Sequence, residues 1–362
     1  MSIMIDKLIG DNKNHFVFHQ RFDYLRDELI HAITQFHLIN HYFLLSSGTT
    51  SNSLKGYALS KEALEKNALA VNQHLGLTKQ DKWGLTLPYY HIGGLSIFFR
   101  AHLLEHDPVA LYPWSPHKIV TDISINKVTI ISLVPTQIYD LVRLKIKSPS
   151  SLRYVLVGGD FISDELLIQS KKLGWPVIKT FGMTELGSQI ATANKSDDQL
   201  KILPIHEIKV AGNKQLWIRS QSLFTLTFKR NANWEFEFSS NLVDGEGFYP
   251  LSDIGIVNQG HLKPMGRFDG SFKSSGHLID LNLLKEELSK VTIEHDAWGK
   301  IEVFVENDQR KGKILCLIYE NDIPLQLIEA FKSRIFPIRI DKIIQCERIE
   351  RTELGKFKTS TN

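Results

Sequence analysis

Ser46-Ser47-Gly48-Thr49-Thr50-Ser51-Asn52-Ser53-Leu54-Lys55-Gly56, placed directly after the apolar residues 42–45, is the stretch from which the rest of the chain is read. A strand that feeds a turn of Ser, Gly and Thr offers backbone N–H groups, hydroxyl donors and one lysine to a polyanion. That is the requirement of a nucleoside triphosphate cradle. The Walker spacing G-x-x-x-x-G-K-[ST] is absent, so a polar surface loop is the competing reading of these residues taken alone. The balance lies in the flanking sequence.

The 362 residues, 43% hydrophobic and 23% charged, suffice for one large core plus a smaller domain. A formal charge of +3, with lysines scattered among acids, leaves no nucleic-acid footprint. Cys316 and Cys346 are the only cysteines, which excludes a disulfide framework and a four-cysteine zinc site and fits a reducing, cytoplasmic setting. No run approaches a membrane-spanning length, and Asp6, Lys7, Asp11 and Lys13 interrupt the apolar residues of the N-terminus. Neither an export signal nor membrane insertion is expected.

Outward from the loop, strand and helix signals alternate. Ser60 is placed to cap a helix over 61–75 closed by Gly76, and 83–87 reads as a strand ending at Pro88. Residues 128–134 form a β-branched strand followed by a helix from Pro135 to Lys145. The strand 154–157 stops at Gly158-Gly159, and Ser163 caps a helix to about Leu173 before the strand 177–180. Repeated units with continuous apolar strands predict an α/β fold, a mainly parallel sheet covered by helices. From about 201 to 265 short alternating segments predict an antiparallel β subdomain. Beyond it, helices over 281–290 and 324–335 and strands over 301–305 and 314–318 predict a small α+β module. The expected division is 1–267 and 268–362, with a hinge near Asp269.

Five collinear segments then resemble the adenylate-forming superfamily of acyl-CoA ligases, luciferases and peptide-synthetase adenylation domains. Residues 46–56 are similar to its phosphate loop T-S-G-[ST]-T-G-x-P-K-G, with Ser51 in a glycine place, no proline and one extra residue. Phe181-Gly182-Met183-Thr184-Glu185 resembles aromatic-G-x-T-E. Residues 249–255 resemble Y-x-T-G-D-x-G, with Ser252 for glycine. Residues 266–276 follow G-R-x-D-x-x-x-K-x-x-G, and 351–356 resemble the terminal R-T-x-x-G-K.

The resemblance implies an AMP-forming acid–thiol ligase that uses ATP, Mg²⁺ and CoA. Ser46, Ser47, Gly48, Thr49, Thr50 and Lys55 would hold phosphates; Thr184 would contact the α-phosphate and Glu185 the metal. Gly158, Gly159 and Asp160 would form one edge of an adenine pocket, with Phe181, Gly182 and Met183 along the other. Asp253 suits the ribose hydroxyls, since a carboxylate accepts two hydrogen bonds from a vicinal diol, and Arg267 would contact ribose or phosphate. Lys356 would be the catalytic cation of adenylation, carried in by a swing of the small module about Asp269. In a second orientation Lys273, Ser274, Ser275 and Gly276 would face CoA.

Residues 87–100, L-P-Y-Y-H-I-G-G-L-S-I-F-F-R, resemble the family's L-P-x-x-H-x-x-G turn, which places catalytic His91 near the acyl pocket. A helix opening at the glycines aligns Ser96 and Arg100 at i and i+4. Arg100 is either a snorkelling surface residue or a fork for a second carboxylate. This segment and S-L-V-P-T-Q at 132–137 resemble the o-succinylbenzoate-CoA ligases of menaquinone biosynthesis, so the resemblance implies o-succinylbenzoate, a dicarboxylic acid, as the substrate converted to its CoA thioester. Thr136 joins the substrate residues on that basis, although capping explains it equally well. The alternatives are another aryl or acyl acid, carrier-protein loading, or a catalytically weak nucleotide-binding relative. Only 45 residues precede Ser46, fewer than the resemblance implies. A sheet edge exposed by that shortening leaves room for a homodimer partner.

Overall fold

In the computed structural model the described residues are 9, 12–46, 54–231, 233–240, 242–267, 272–274, 277–279, 281–293, 295–308, 312–336, 338–352, 355 and 357–358. Strand β1 (His15–Val17), helix α1 (Leu25–Ile33) and strands β2 (His41–Leu45) and β3 (Lys55–Ser60) open the chain. Ser46 N donates to Lys55 O at 2.8 Å and closes the base of the hydroxyl-rich loop.

Helix α2 (Lys61–His74) starts as expected, with Ser60 Oγ accepting from Ala63 N, and ends before Gly76 at φ +60°. Strand β4 (Trp83–Leu85), helix α3 (Ile92–His102), strand β5 (Val109–Ala110) and helix α4 (Pro116–Asn126) follow. Then come β6 (Ile130–Leu133), α5 (Pro135–Arg143), β7 (Tyr154–Val157), α6 (Asp164–Lys172) and β8 (Val177–Met183). Strands β4 to β8 pair in parallel in the order β5-β4-β6-β7-β8, with β4, β6 and β7 buried almost throughout. Their near-continuous apolar sequences reflect that burial.

The antiparallel strands do not stand apart from this sheet. Strands β9 (Ser188–Ala193), β10 (Leu200–Ile202), β11 (His206–Val210) and β12 (Gln215–Ser220) come first in the chain. They are followed by β13 (Leu226–Arg230), β14 (Phe236–Ser239), β15 (Tyr249–Asn258) and β16 (His261–Arg267). Six of these extend the parallel sheet to eleven strands, in the order β11-β12-β15-β16-β10-β9-β8. The other two, β13 and β14, complete a second sheet, β1-β2-β3-β13-β14. Alternation in sequence reports one buried face but not which neighbour a strand will join.

Strands β17 (Phe272–Ser274) and β18 (His277–Ile279) pair as a short ribbon. Helix α7 (Leu281–Thr292), β19 (Ile301–Asp308), β20 (Gly312–Glu320), α8 (Leu325–Arg334) and β21 (Lys342–Cys346) then form a separate three-stranded α+β layer. It has its own core around Leu284, Val303, Leu315, Leu317 and Phe331. No helix among the described residues is long and apolar enough to cross a membrane.

Candidate active site

Glu185 is the centre of one constellation. It sits on the one-turn 3-10 helix Thr184–Leu186 joining β8 to β9, where Gly187 at φ +68° reverses the chain. Tyr57, buried on β3, donates its hydroxyl to Glu185 Oε1 at 2.7 Å, and Phe224 N donates to Glu185 O at 2.9 Å. The Tyr57 and Phe224 rings lie 5.2 Å apart, and those of Phe224 and Tyr249 5.1 Å apart. Burial, and then the charge of Glu185, push the Tyr57 phenol well above its ordinary range and that of Tyr249 up to about 12. Arg267 acts on Tyr57 with the opposite sign, and Asp253 is its direct register partner across β15 and β16. The Lys55 ammonium lies 5.2 Å from the Tyr57 ring centre. Tyr57 from β3 and Tyr249 from β15 thus act on one carboxylate, with Arg267 of β16 acting on Tyr57.

The turn bearing Glu185 is clamped from below. Asn67, fully buried on α2, donates from Nδ2 to Leu186 O at 3.0 Å and to Gln189 O at 2.8 Å. Ser222 Oγ also donates to Leu186 O, and His206 Nε2 meets Gln189 O at 3.0 Å. Between these anchors Ser188 is held at φ +130°, a conformation costly for a residue with a Cβ.

The strained Ser188 is where the second constellation begins. Helix α3 opens at Ile92, and Gly94 permits it to cross the Leu87–Pro88 backbone. A Cβ there would come within 2.2 Å of Pro88 O. One turn on, Ser96 Oγ lies 3.4 Å from Ser188 Oγ, and Arg100 Nη2 donates to that hydroxyl at 3.1 Å. Arg100 is 1% exposed, so the surface reading of this residue is excluded. Trp83 presents its ring 5.3 Å from the guanidinium carbon, and Arg100 Nε has no hydrogen-bond partner. No carboxylate among the described residues pairs with it; burial alone draws its pKa down to about 9, still cationic at neutral pH.

A third cluster lies at the C-terminal ends of the parallel strands, where open α/β sheets bind ligands. Gly158 follows β7 and packs so closely on β8 that a Cβ would lie 2.3 Å from Thr180 Oγ1. Gly159 takes φ +85°, and Asp160 Oδ1 accepts from Phe161 N at 2.8 Å. Thr136, at the start of α5, touches Gly355 of the small layer. Its neighbour Gln137 caps the helix by accepting from Val134 N at 3.0 Å. Thr136, Asp160, Lys285, Glu302, Arg351 and Gly355 line a cavity of about 60 Å³ between the two layers. The seam is closed by Ser289 donating to Ser163 at 2.6 Å and by Tyr139 stacking on Trp298 at 4.5 Å.

Of the residues expected from sequence, Ser46, Lys55, Thr184, Glu185, Asp253 and Arg267 belong to elements meeting around Glu185. Ser96 and Arg100 meet Ser188, and Gly158, Gly159, Asp160, Phe181, Gly182 and Met183 lie on the neighbouring strand ends β7 and β8. His91 heads α3 with its ring 4.9 Å from that of Tyr90. Ser47, Gly48, Thr49, Thr50, Asp269, Ser275, Gly276 and Lys356 lie outside the described residues, and Lys273 and Ser274 are described only as backbone of β17. Tyr57, Asn67, Ser188, Lys285 and Glu302 escaped the sequence reading. Ser188 adjoins a recognised segment, whereas a lone polar residue within an apolar pattern gave no signal at Asn67.

The geometry of Glu185 fits a seat for Mg²⁺. One oxygen is committed to Tyr57, and a single carboxylate that leaves the remaining positions to phosphate and water is the usual magnesium environment. The described residues hold no cluster of three His, Cys, Asp or Glu that could bind a metal without such help.

Comparison with known proteins places this geometry in a family context. The model for AMP-binding enzymes matches residues 40–216. The 2-succinylbenzoate–CoA ligase of Bacillus subtilis (strain 168) is 27% identical over 334 residues, covering 87% of this chain and 66% of that protein. That of Lactococcus lactis is 30% identical over 192 residues, covering 50% of this chain and 42% of that protein. The chain therefore spans less than two thirds of the length of these two relatives. Among solved structures, o-succinylbenzoate CoA synthetase from Bacillus subtilis in complex with the acyl-adenylate intermediate OSB-AMP aligns with a TM-score of 0.73. The two are 25% identical, and the alignment covers 87% of this chain and 67% of that one. McyG A-PCP with phenylalanyl-adenylate shares the fold at 16% identity and a TM-score of 0.70, covering 88% and 64%.

Proposed function

We propose that the chain, which resembles AMP-binding enzymes over residues 40–216, is an adenylate-forming acid–thiol ligase converting o-succinylbenzoate to its CoA thioester. A carboxylate oxygen attacks the α-phosphorus of ATP, the bond from that phosphorus to the bridging oxygen breaks, and pyrophosphate leaves with the acyl-adenylate formed. CoA thiolate then attacks the acyl carbon and AMP departs. Bound Mg²⁺ neutralises phosphate charge, with Glu185 the residue that would hold it. Tyr57 fixes the orientation of that carboxylate. Thr184 faces the α-phosphate, Ser46 to Thr50 and Lys55 the outer phosphates, and Asp253 and Arg267 the ribose. Gly158 to Asp160 and Phe181 to Met183 line the adenine, and His91 and Thr136 the acyl group. Lys356 supplies the cation between the approaching carboxylate and the α-phosphate.

The observation that carries the substrate choice is Arg100. A buried guanidinium with no acidic partner among the described residues, three positions along the chain from Glu185 through its bond to Ser188, suits the second carboxylate of a dicarboxylic acid. Lys273 to Gly276 would face CoA after the 268–362 unit turns about Asp269, and the two free thiols suit a cytoplasmic location.

The experiment is ATP–pyrophosphate exchange with a panel of acids, with and without CoA. Exchange driven by o-succinylbenzoate is expected. Exchange with other acids only would move the substrate to another aryl or acyl acid, and nucleotide binding without exchange would leave a weak, non-catalytic relative.

A further inference from the structure

The described residues between 350 and 358 bond to one another beside the cavity between the layers. Lys358 N donates to Glu350 O at 3.0 Å, Arg351 and Phe357 form an antiparallel bridge, and Gly355 N donates to Thr352 O at 2.8 Å. Gly355, at φ +74°, brings the tip so close to Thr136 that a Cβ would lie 2.2 Å from Thr136 Cγ2. So few backbone bonds do not by themselves order a tip of this kind. The guanidinium of Arg351 supplies the rest. Nη1 donates to Gly355 O at 3.0 Å, while Nη2 donates to Gly299 O at 2.8 Å and lies 3.3 Å from Glu302.

Glu302 is shared. Lys285 stands 3.6 Å from it on the other side, and Asp160, at the end of β7 in the large layer, adds its charge. Burial works against the Lys285 ammonium, but Glu302 and then Asp160 more than offset it, so its pKa is raised. Four charges therefore alternate in sign from the large layer to the tip: Asp160, Lys285, Glu302, Arg351.

We propose that Arg351 is a positioning residue for adenylate formation: its fork sets the carbonyl of Gly355, the residue immediately before Lys356, while the small layer is seated on Asp160 and Thr136. This rests on the proposed function above. The guanidinium is required because a lysine ammonium is a point donor that cannot hold Gly355 O, Gly299 O and Glu302 in one fixed plane. A misplacement of about 1 Å at a reacting group is enough to cost on the order of 100-fold in rate.

The test compares wild type, Arg351→Lys and Glu302→Gln, the last leaving Arg351 its carbonyl partners but not its orienting charge. In Arg351→Lys, kcat for acid-dependent ATP–pyrophosphate exchange is expected to fall about 10- to 100-fold. KM for ATP and thioester formation from preformed acyl-adenylate should stay within about twofold. Glu302→Gln should show the same split at smaller size. Amide hydrogen exchange over 350–358 should rise in both variants, while that over α7 and β19 stays unchanged. An equal loss in both half-reactions, or unaltered amide exchange at 350–358, would overturn the proposal. If wild type exchanges pyrophosphate with no acid, the proposed function fails instead, and the amide-exchange measurement alone still decides what Arg351 does to the tip.

Discussion

At Arg100 the cost of the site is visible in one side chain. Removing an ion from water costs several kcal/mol even after relaxation, and here one hydroxyl and one aromatic face replace the lost solvent. Arg100→Leu is therefore expected to leave the melting temperature unchanged or raise it. It should also raise KM for the dicarboxylate about 10- to 100-fold, the value of a hydrogen bond to a charged group. KM for ATP should hardly move. Thermal melts and steady-state kinetics on the purified variant decide: a lower melting temperature with unchanged KM would make the arginine structural. His206 presents the opposite case, a buried ring kept neutral. Burial draws its pKa from 6.5 to about 4, so its contribution is complete above about pH 6.5 and is lost as pH falls through about 4. The total at stake is about 3 kcal/mol. Melting temperature measured between pH 4 and 8 should fall on the acid side more steeply in wild type than in His206→Gln, and parallel curves would refute this.

The turn joining β8 to β9 carries both Glu185 and Ser188, three residues apart, so it links the two constellations. Asn67 reaches that turn from α2, and its amide satisfies two carbonyls that would otherwise depend on Ser222 and His206 alone. Asn67→Ala is expected to cost about 1–3 kcal/mol of stability. It should weaken MgATP and dicarboxylate binding together, which isothermal titration of each ligand would register. Loss of stability with both affinities intact would show that the clamp holds the sheet and not the site. The boundary signals of elements were legible beforehand. Ser60 and Ser163 cap their helices through Ala63 N and Leu166 N, and Pro135 opens α5, because capping is a local competition for the first free N–H groups. Strand β8 runs to Met183, beyond the sequence reading, because pairing with β9 extends it; that pairing is a tertiary contact.

For the molecule as a whole, the seam between the layers fixes how the small layer is seated on the large one. Gly355 rests on Thr136 and Lys285 faces Asp160, which brings the end of the chain to the edge of β6 and β7 where the adenine residues are expected. Lys356→Ala should reduce adenylate formation by about 100-fold or more while thioester formation from preformed adenylate persists. Equal loss of both half-reactions, followed by rapid quench, would end the idea of one site used in two orientations.

The amino-acid sequence on its own settled the alternation of strand and helix, the caps, and the collinear segments that resemble adenylate-forming enzymes, because each depends on a few neighbouring residues. Tertiary structure alone decided that the antiparallel strands divide between two sheets, that Tyr57 and Asn67 hold Glu185 and its turn, and that Arg100 is buried without an acid among the described residues. Those outcomes arise from contacts between residues far apart in the chain, as Tyr57 with Glu185 and Lys55 with Lys229, where the free energy of burial and pairing depends on which surfaces meet. No local pattern encodes that choice.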